Sequence, residues 1–387
     1  MDVYFYVLII TVLLALIDDY LYKFSFFDMP KFLSALTIAL PMSIIAGLRN
    51  WNIGTDVHIY GYGEFNIATA ATSLHTYIQS ISTHYRTEIL YSVLNFVVSR
   101  FTNNVNIFLF VLSLITVIPF CLGCILFRKK FNIPVWIQVT IFWGLFYGNS
   151  LNLMRQSVAI AFVYLAVAML MCNEKWNNVS FFILSAVAFG FHRTAFMSII
   201  IWMIYQYVNK LSGKAKLSFQ IVSGALLIAF GANLGLLVMS KALNTSSLAI
   251  KYKQYIDGSN WLAQTSYGWT RILMLSALPL MLLIILLVYR KYIKNQADQK
   301  YILFLTLILV VDLVTQISAF SGKVLLRLGL YFAIFECITA PLAFKLLLEK
   351  KSRFLGYILV AMYMIFVFYS VTKSGSGEIY PYQWIFS

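Results

Sequence analysis

Charge is what this sequence has least of. Charged side chains make up 11% of its 387 residues and 61% of the chain is hydrophobic, whereas a soluble domain carries about 25% charged residues. A water-soluble body of ordinary build is excluded, and a mean hydropathy of +0.82 points the same way. Acidic residues are the scarcer sign, 14 Asp and Glu against 29 Lys and Arg, for a net charge of +15. A nucleic-acid binder would gather such an excess into one contiguous patch. Here the basic residues punctuate apolar runs, as charge-guided membrane insertion leaves them, so no nucleic-acid partner is expected. Cysteine is limited to Cys121, Cys124, Cys172 and Cys337. The C-x-x-C of Cys121 and Cys124 lies inside an apolar run with no second pair, which reads as packing and not as a zinc or redox site. No carboxylate pair has metal-ligand spacing, so neither a metal nor a cofactor is expected. The start, Met1-Asp2-Val3-Tyr4, lacks the basic region of a cleavable signal peptide, which makes the first apolar run a retained span. Low-complexity tails, heptads and repeats of a few tens of residues are also missing.

What is present is a succession of apolar stretches near the ~20 residues a bilayer requires of a helix. They fall at 3–17, 31–48, 105–127, 133–148, 156–172, 179–191, 195–209, 217–238, 271–289, 301–320, 325–345 and 354–372. The expected fold is therefore all-α: a polytopic integral membrane protein of about 12 transmembrane helices, with 1–387 as a single transmembrane domain. The short apolar stretch 88–101 is either a thirteenth span or a re-entrant or interfacial helix. Alternate connections hold Lys23 and Lys31; Arg128, Lys129 and Lys130; Lys175; Lys210, Lys214 and Lys216; Arg290, Lys291, Lys294 and Lys300; and Lys345, Lys350, Lys351 and Arg353. By the positive-inside rule that side is cytoplasmic. The long loops 49–104 and 239–270 and both termini then lie outside.

The outer connections hold polar residues that insertion does not require. In the first, Arg49 is followed by Gly54-Thr55-Asp56, a tight turn presenting a carboxylate, and then Tyr60. In the second, Asn149 to Gln156 places Arg155 in the first turn of a span, where the helix dipole prefers an anion. A bound phosphate would resolve that conflict; pairing with lipid headgroups is the plainer alternative. The third is the short turn Gly190-Phe191-His192-Arg193-Thr194. The fourth, around Lys251, Tyr252, Lys253 and Tyr255, suits either an interfacial aromatic belt or stacking on sugar rings. Arg327 and Tyr331 open a late span. Asp312 and Glu336 lie within spans, where ionisable groups are costly and face a partner or a cavity. An Asp312–Arg327 ion pair is one expectation. Several Arg at one face suit a ligand with several negative charges and a lipid tail, because guanidinium groups grip phosphate oxygens in pairs.

These strings, Gly47-Leu48-Arg49 with Gly54-Thr55-Asp56 and Tyr60, Asn152 with Arg155-Gln156 and Ala159, Phe191-His192 with Ala195, and Arg327 with Tyr331, resemble in order the EpsG-like family of bacterial exopolysaccharide and capsule proteins. The resemblance covers roughly 45–345. It implies a Wzy-type repeat-unit polymerase, similar to lipid-dependent membrane glycosyltransferases. Such a protein works in the bacterial cytoplasmic membrane with its active face extracytoplasmic. It joins oligosaccharide units carried on undecaprenyl diphosphate, as both donor and acceptor, in the company of a flippase and chain-length regulator proteins. On that reading Arg49, Arg155 and Arg327, with Arg193 in reserve, neutralise the leaving diphosphate. Asp56 or His192 takes the acceptor proton, and Tyr60, Tyr252 and Tyr255 meet sugar. A polysaccharide ligase or an O-acyltransferase is the alternative enzyme. A polysaccharide or lipid transporter is the alternative from another class.

Overall fold

The structure, a computed structural model, describes residues 1–24, 29–82, 87–172, 177–210, 269–289, 295–317 and 323–386. The expected span 217–238, almost all of the loop 239–270, and with it Tyr252 and Tyr255, lie outside the described residues. The described chain is helical, and its single β-type bridge joins Arg49 to Trp384. Two compact units form, one from Met1–Phe196 with Lys351–Ser387 and one from Met197–Lys350.

The first unit contains α1 (Asp2–Phe24), α2 (Lys31–Leu48), α3 (Phe65–Ala70), α4 (Leu74–Ser82), α5 (Ile89–Ser99), α6 (Val105–Phe131), α7 (Val135–Phe142), α8 (Gly148–Asn152), α9 (Met154–Cys172) and α10 (Asn177–Phe191). The second contains α11 (Met197–Lys210), α12 (Trp269–Tyr289), α13 (Gln296–Ile317), α14 (Lys323–Ala333) and α15 (Glu336–Leu347). α16 (Lys350–Lys373) returns the chain to the first unit. Among the described residues eight helical stretches are long and apolar enough to cross a membrane: α1, α2, α6, α9, α12, α13, α14 with α15, and α16. Four further spans were expected. The run 133–148 is helical and passes from α7 through a π-helical turn at Trp143–Tyr147 into α8, a stretch of mixed winding. α10 and α11, at 15 and 14 residues, are shorter than a full crossing, and 217–238 is the fourth.

In the first unit α6 is the central helix, packed along α2 and α9, and α10 packs on α9. α1 and α16 carry the outward apolar rows, with Leu13 53%, Leu355 57% and Met362 62% exposed. Rows of exposed Leu and Met on long helices are costly in water and match a lipid solvent. α6, 27 residues long, spans about 40 Å at 1.5 Å per residue, so its two ends mark two separate faces. At one end Arg128 pairs with Asp18 and Asp19 at 2.5 and 3.0 Å. Asp19 also accepts the Val135 and Trp136 N–H groups that open α7.

At the other end of α6, Asn106 Nδ2 donates to the Gly47 and Arg49 carbonyls, both at 2.7 Å, tying the start of α6 to the end of α2. The loop 49–104 therefore leaves and returns at one face. Its apolar stretch 88–101 contains α5, only 11 residues or about 17 Å long. Of the two readings of that stretch, the non-crossing helix is the one the structure contains. The tail after α16 lies at this face as well: Asn50 N–H donates to Gln383, Ile385 N–H to Leu48, and Tyr4 Oη to Ile379.

In the second unit the expected Asp312–Arg327 pair does not form. Asp312, fully buried, accepts from Gln316 Nε2 at 2.9 Å and meets the buried Glu336 carboxyl. Its partners are thus one turn along its own helix and on α15, not on α14. Cys121 and Cys124 form no disulfide and are fully buried, with Cys124 Sγ 3.9 Å from Tyr164 Oη.

Candidate functional site

The loop 49–104 folds onto the α8–α9 corner through a glycine. Gly54 has φ +92°, open to glycine at no steric cost, and a Cβ there would meet Asn152 Oδ1 at 2.9 Å. The same Asn152 Oδ1 accepts the Asp56 N–H at 3.0 Å. Glu378, in the tail, accepts from the Thr55 N–H at 2.6 Å and from its hydroxyl. The expected turn at Gly54-Thr55-Asp56 is present and docked from two sides. It leads into a π-helical segment, Val57–Glu64, a rare form that is frequent at functional sites.

Arg49 is 2% exposed. Its Nη1 donates to the Leu151 carbonyl and its Nη2 reaches Met154 Sδ at 3.8 Å, while Nε is buried without a partner. Burial lowers its pKa to about 10. A guanidinium so enclosed braces the corner from which Arg155 departs, and it is not among the residues lining the cleft described below. Direct contact with a diphosphate, expected from the sequence, is at odds with this burial.

Arg155 is the centre of the arrangement. Its Nη1 binds Glu88 Oε2 at 2.6 Å, with the two side chains 11% and 12% exposed. Its guanidinium lies 4.0 Å over the Tyr60 ring and 5.6 Å from that of Tyr91, and Asp56 acts on it electrostatically. The dipole conflict of an Arg in the first turn of α9 is relieved by a carboxylate of the protein itself. Tyr60, expected to meet sugar, instead forms the floor under Arg155. Glu88 Oε1 accepts the Arg193 N–H at 3.4 Å. Burial pushes the Glu88 carboxyl up, but Arg155 and His192 outweigh it and hold its pKa below the usual value.

His192 follows directly on α10. Its Nδ1 lies 2.6 Å from Thr194 Oγ1 and accepts the Thr194 N–H at 3.3 Å. An accepting Nδ1 places the proton of a neutral ring on Nε2, which makes that edge of His192 a donor.

Between α4, α5 and α10 opens a cleft of about 430 Å³. Glu88, Arg193, Thr87 and Ser92 form its polar side, and Ile78, Ile81, Ile89 and Phe189 its apolar side. Gly190 permits the approach of α10 to α5, because a Cβ there would stand 2.5 Å from Leu90 Cδ1. Behind the polar side lies Glu64, fully buried. Its Oε1 accepts from Tyr77 Oη and Thr87 Oγ1, both at 2.8 Å, and from Ser92 Oγ at 3.1 Å, while Oε2 has no partner. Burial raises the pKa of this carboxyl.

Of the residues expected from sequence, Arg155, Arg193, His192, Asp56 and Tyr60 gather around Glu88, and Arg49 stands behind them. Arg327 belongs to the second unit, on α14, half-buried and one turn before the fully buried Tyr331. Glu88 and Glu64 are additions from the structure. A signal for both existed, since with Asp56 they are the only carboxylates in 49–104 of a strongly basic chain. Among the described residues no group of three or more His, Cys, Asp or Glu is placed to hold a metal.

In comparison with known proteins, the EpsG family matches residues 32–384, nearly the whole chain. No curated protein and no solved structure matches.

Proposed function

The chain belongs to the EpsG family, which makes it an exopolysaccharide-related membrane protein, and from that premise we propose that it polymerises lipid-linked oligosaccharide repeat units. The single observation that carries the reading is the gathering of Arg155, Arg193 and His192 about Glu88, which together with Arg193 lines an amphipathic cleft. That cleft lies on the face of the first unit opposite the Arg128 cluster. With the basic turns inside, this face is extracytoplasmic in a bacterial cytoplasmic membrane.

In the reaction, a hydroxyl on the sugar of an incoming unit attacks the anomeric carbon of the glycan held on undecaprenyl diphosphate. The new C–O bond forms as the bond to the diphosphate oxygen breaks. The hydroxyl proton passes to a carboxylate, and the prenyl diphosphate leaves with the bonding pair. Arg155 and Arg193 neutralise that departing charge. Asp56 is the better base, and His192 donates from Nε2 to an oxygen of donor or leaving group. Glu88 keeps Arg155 oriented until a diphosphate shares it, and Arg49 positions the corner. Ile78, Ile81, Ile89 and Phe189 take the first isoprene units. Tyr252 and Tyr255 remain candidates for sugar, and a flippase and a chain-length regulator are the expected companions.

The test is a strain lacking this chain, complemented with wild type, Arg155→Ala or His192→Ala, each checked for membrane insertion. Wild type restores a ladder of surface glycan, and the variants leave single repeat units. Full-length polymer from both variants, or full chains stranded on lipid when the protein is missing, would refute the assignment; the second result is that of a ligase.

A further inference from the structure

The π-helical segment Val57–Glu64 turns aromatic rings in two directions. Tyr60 goes to Arg155. His58 and Tyr62, four residues apart, go to Trp51 instead. Trp51 stacks on Tyr62 at 3.9 Å and 11°, and on His58 at 5.3 Å and 18°, while His58 and Tyr62 lie 6.4 Å apart at 16°. The three rings are thus held nearly parallel by one another. His58 is exposed, and Trp51 and Tyr62 are half-buried. The buried side of the segment is made by Val57, Gly61 and Glu64, so none of the three rings is needed to fill the core.

We infer that Trp51, His58 and Tyr62 form a carbohydrate-binding platform beside the cleft, one that takes the glycan being lengthened. The inference rests on the polymerase reading for the identity of that glycan. Its chemistry stands on the rings. A pyranose has an apolar C–H face and a rim of hydroxyls. Flat rings with polar edges complement both, as Tyr and Trp do wherever one part of a surface is apolar and another wet. The His58 ring nitrogens and the Tyr62 hydroxyl are at hand for the rim. An aromatic belt in the lipid is the competing use of such residues, and two observations weigh against it here. Polar residues flank the rings, with Asn52 and Thr55 exposed and Thr55 bound to Glu378, and Ile59 is the exposed apolar neighbour. The lipid-type apolar rows of this unit run along α1 and α16, through residues such as Leu13 and Leu355.

The experiment uses the full chain in nanodiscs of phosphatidylethanolamine and phosphatidylglycerol. The probe is the oligosaccharide mixture released by mild acid from the surface glycan of the producing strain. Tryptophan emission is followed for wild type, Trp51→Ala and His58→Ala, the last at an exposed position where folding is not at stake. The platform requires a saturable emission change in wild type, binding about tenfold weaker in Trp51→Ala, and a smaller loss in His58→Ala. It also requires that brominated lipids leave the Trp51 contribution unquenched. Quenching of that contribution by brominated lipid, or equal binding by all three proteins, overturns it. In cells, Trp51→Ala should still polymerise but shift the ladder to shorter chains, whereas Arg155→Ala abolishes it. An unchanged ladder in Trp51→Ala beside a lost one in Arg155→Ala sinks the platform and leaves the polymerase standing. Intact polymer from Arg155→Ala, with oligosaccharide still bound at Trp51, does the reverse.

Discussion

Removing the negative partner of Arg155 is the most informative perturbation of the site. Glu88 and Arg155 are joined at 2.6 Å, and only about a tenth of each side chain is exposed. Solvent screening is therefore weak, and stripping a buried ion of its partner costs about 3 kcal/mol. The Tyr60 ring under the guanidinium retains about 1 kcal/mol of cation–π attraction, so Arg155 stays in place but loses its fixed direction. The clean design is a double-mutant cycle with Glu88→Gln, Arg155→Gln and the double variant. Each is unfolded with sodium dodecyl sulfate in mixed micelles and followed by tryptophan emission. The pair predicts a coupling of about 2 kcal/mol, each single variant being costly and the second change adding little. Single effects that sum to the double within about 0.5 kcal/mol would show that the two charges do not depend on each other, and the argument for Glu88 would fail.

Other consequences follow from neighbouring residues. Glu64 is a buried carboxyl whose pKa is raised by burial from its ordinary 4.5. Its proton is held more tightly in the folded chain than in the unfolded one, so its contribution to stability is full below about pH 4.5 and is lost as pH rises through the folded value. Glu64→Gln should therefore leave stability unchanged at pH 4 and raise it at pH 8, measured by the same unfolding titration; a gain equal at both pH values contradicts this. Gly54→Ala forces a side chain into φ +92° and against Asn152 Oδ1, which should cost about 1–2 kcal/mol and lower polymer yield by displacing the Asp56 turn. Gly190→Ala drives a methyl to 2.5 Å from Leu90, spreading α5 from α10. A cysteine placed at Phe189, on the cleft wall, should then react faster with a water-soluble maleimide; an unchanged labelling rate refutes the close-packing role.

Much of the architecture was written in hydropathy, because a helix in lipid must be apolar along its whole length. α1, α2, α6, α9 and α16 fall where the apolar runs predict them. The run 133–148 reads as one more span and is helical, though hydropathy does not register its π-helical turn at Trp143–Tyr147. The candidate site was legible in its basic half, since Arg155, His192 and Arg193 interrupt apolar sequence where insertion has no use for them. Its acidic half was not. Glu88 stands 67 residues before Arg155, and nothing local in either segment announces the pairing. Arg49 shows the opposite failure: a lone Arg at the end of an apolar run reads as exposed, yet its guanidinium is buried against the Leu151 carbonyl and Met154. The contact of Tyr60 with Arg155 is not legible either, because the sequence does not disclose that its segment winds as a π-helix.

The most direct measurement of the central claim uses the purified chain and one synthetic repeat unit on undecaprenyl diphosphate. Glycan length and free prenyl diphosphate are read together over time. A ladder of products, with one prenyl diphosphate freed for each new linkage and both signals lost in Arg155→Gln, is what the account predicts. Release without lengthening, or lengthening that survives Arg155→Gln, would contradict it.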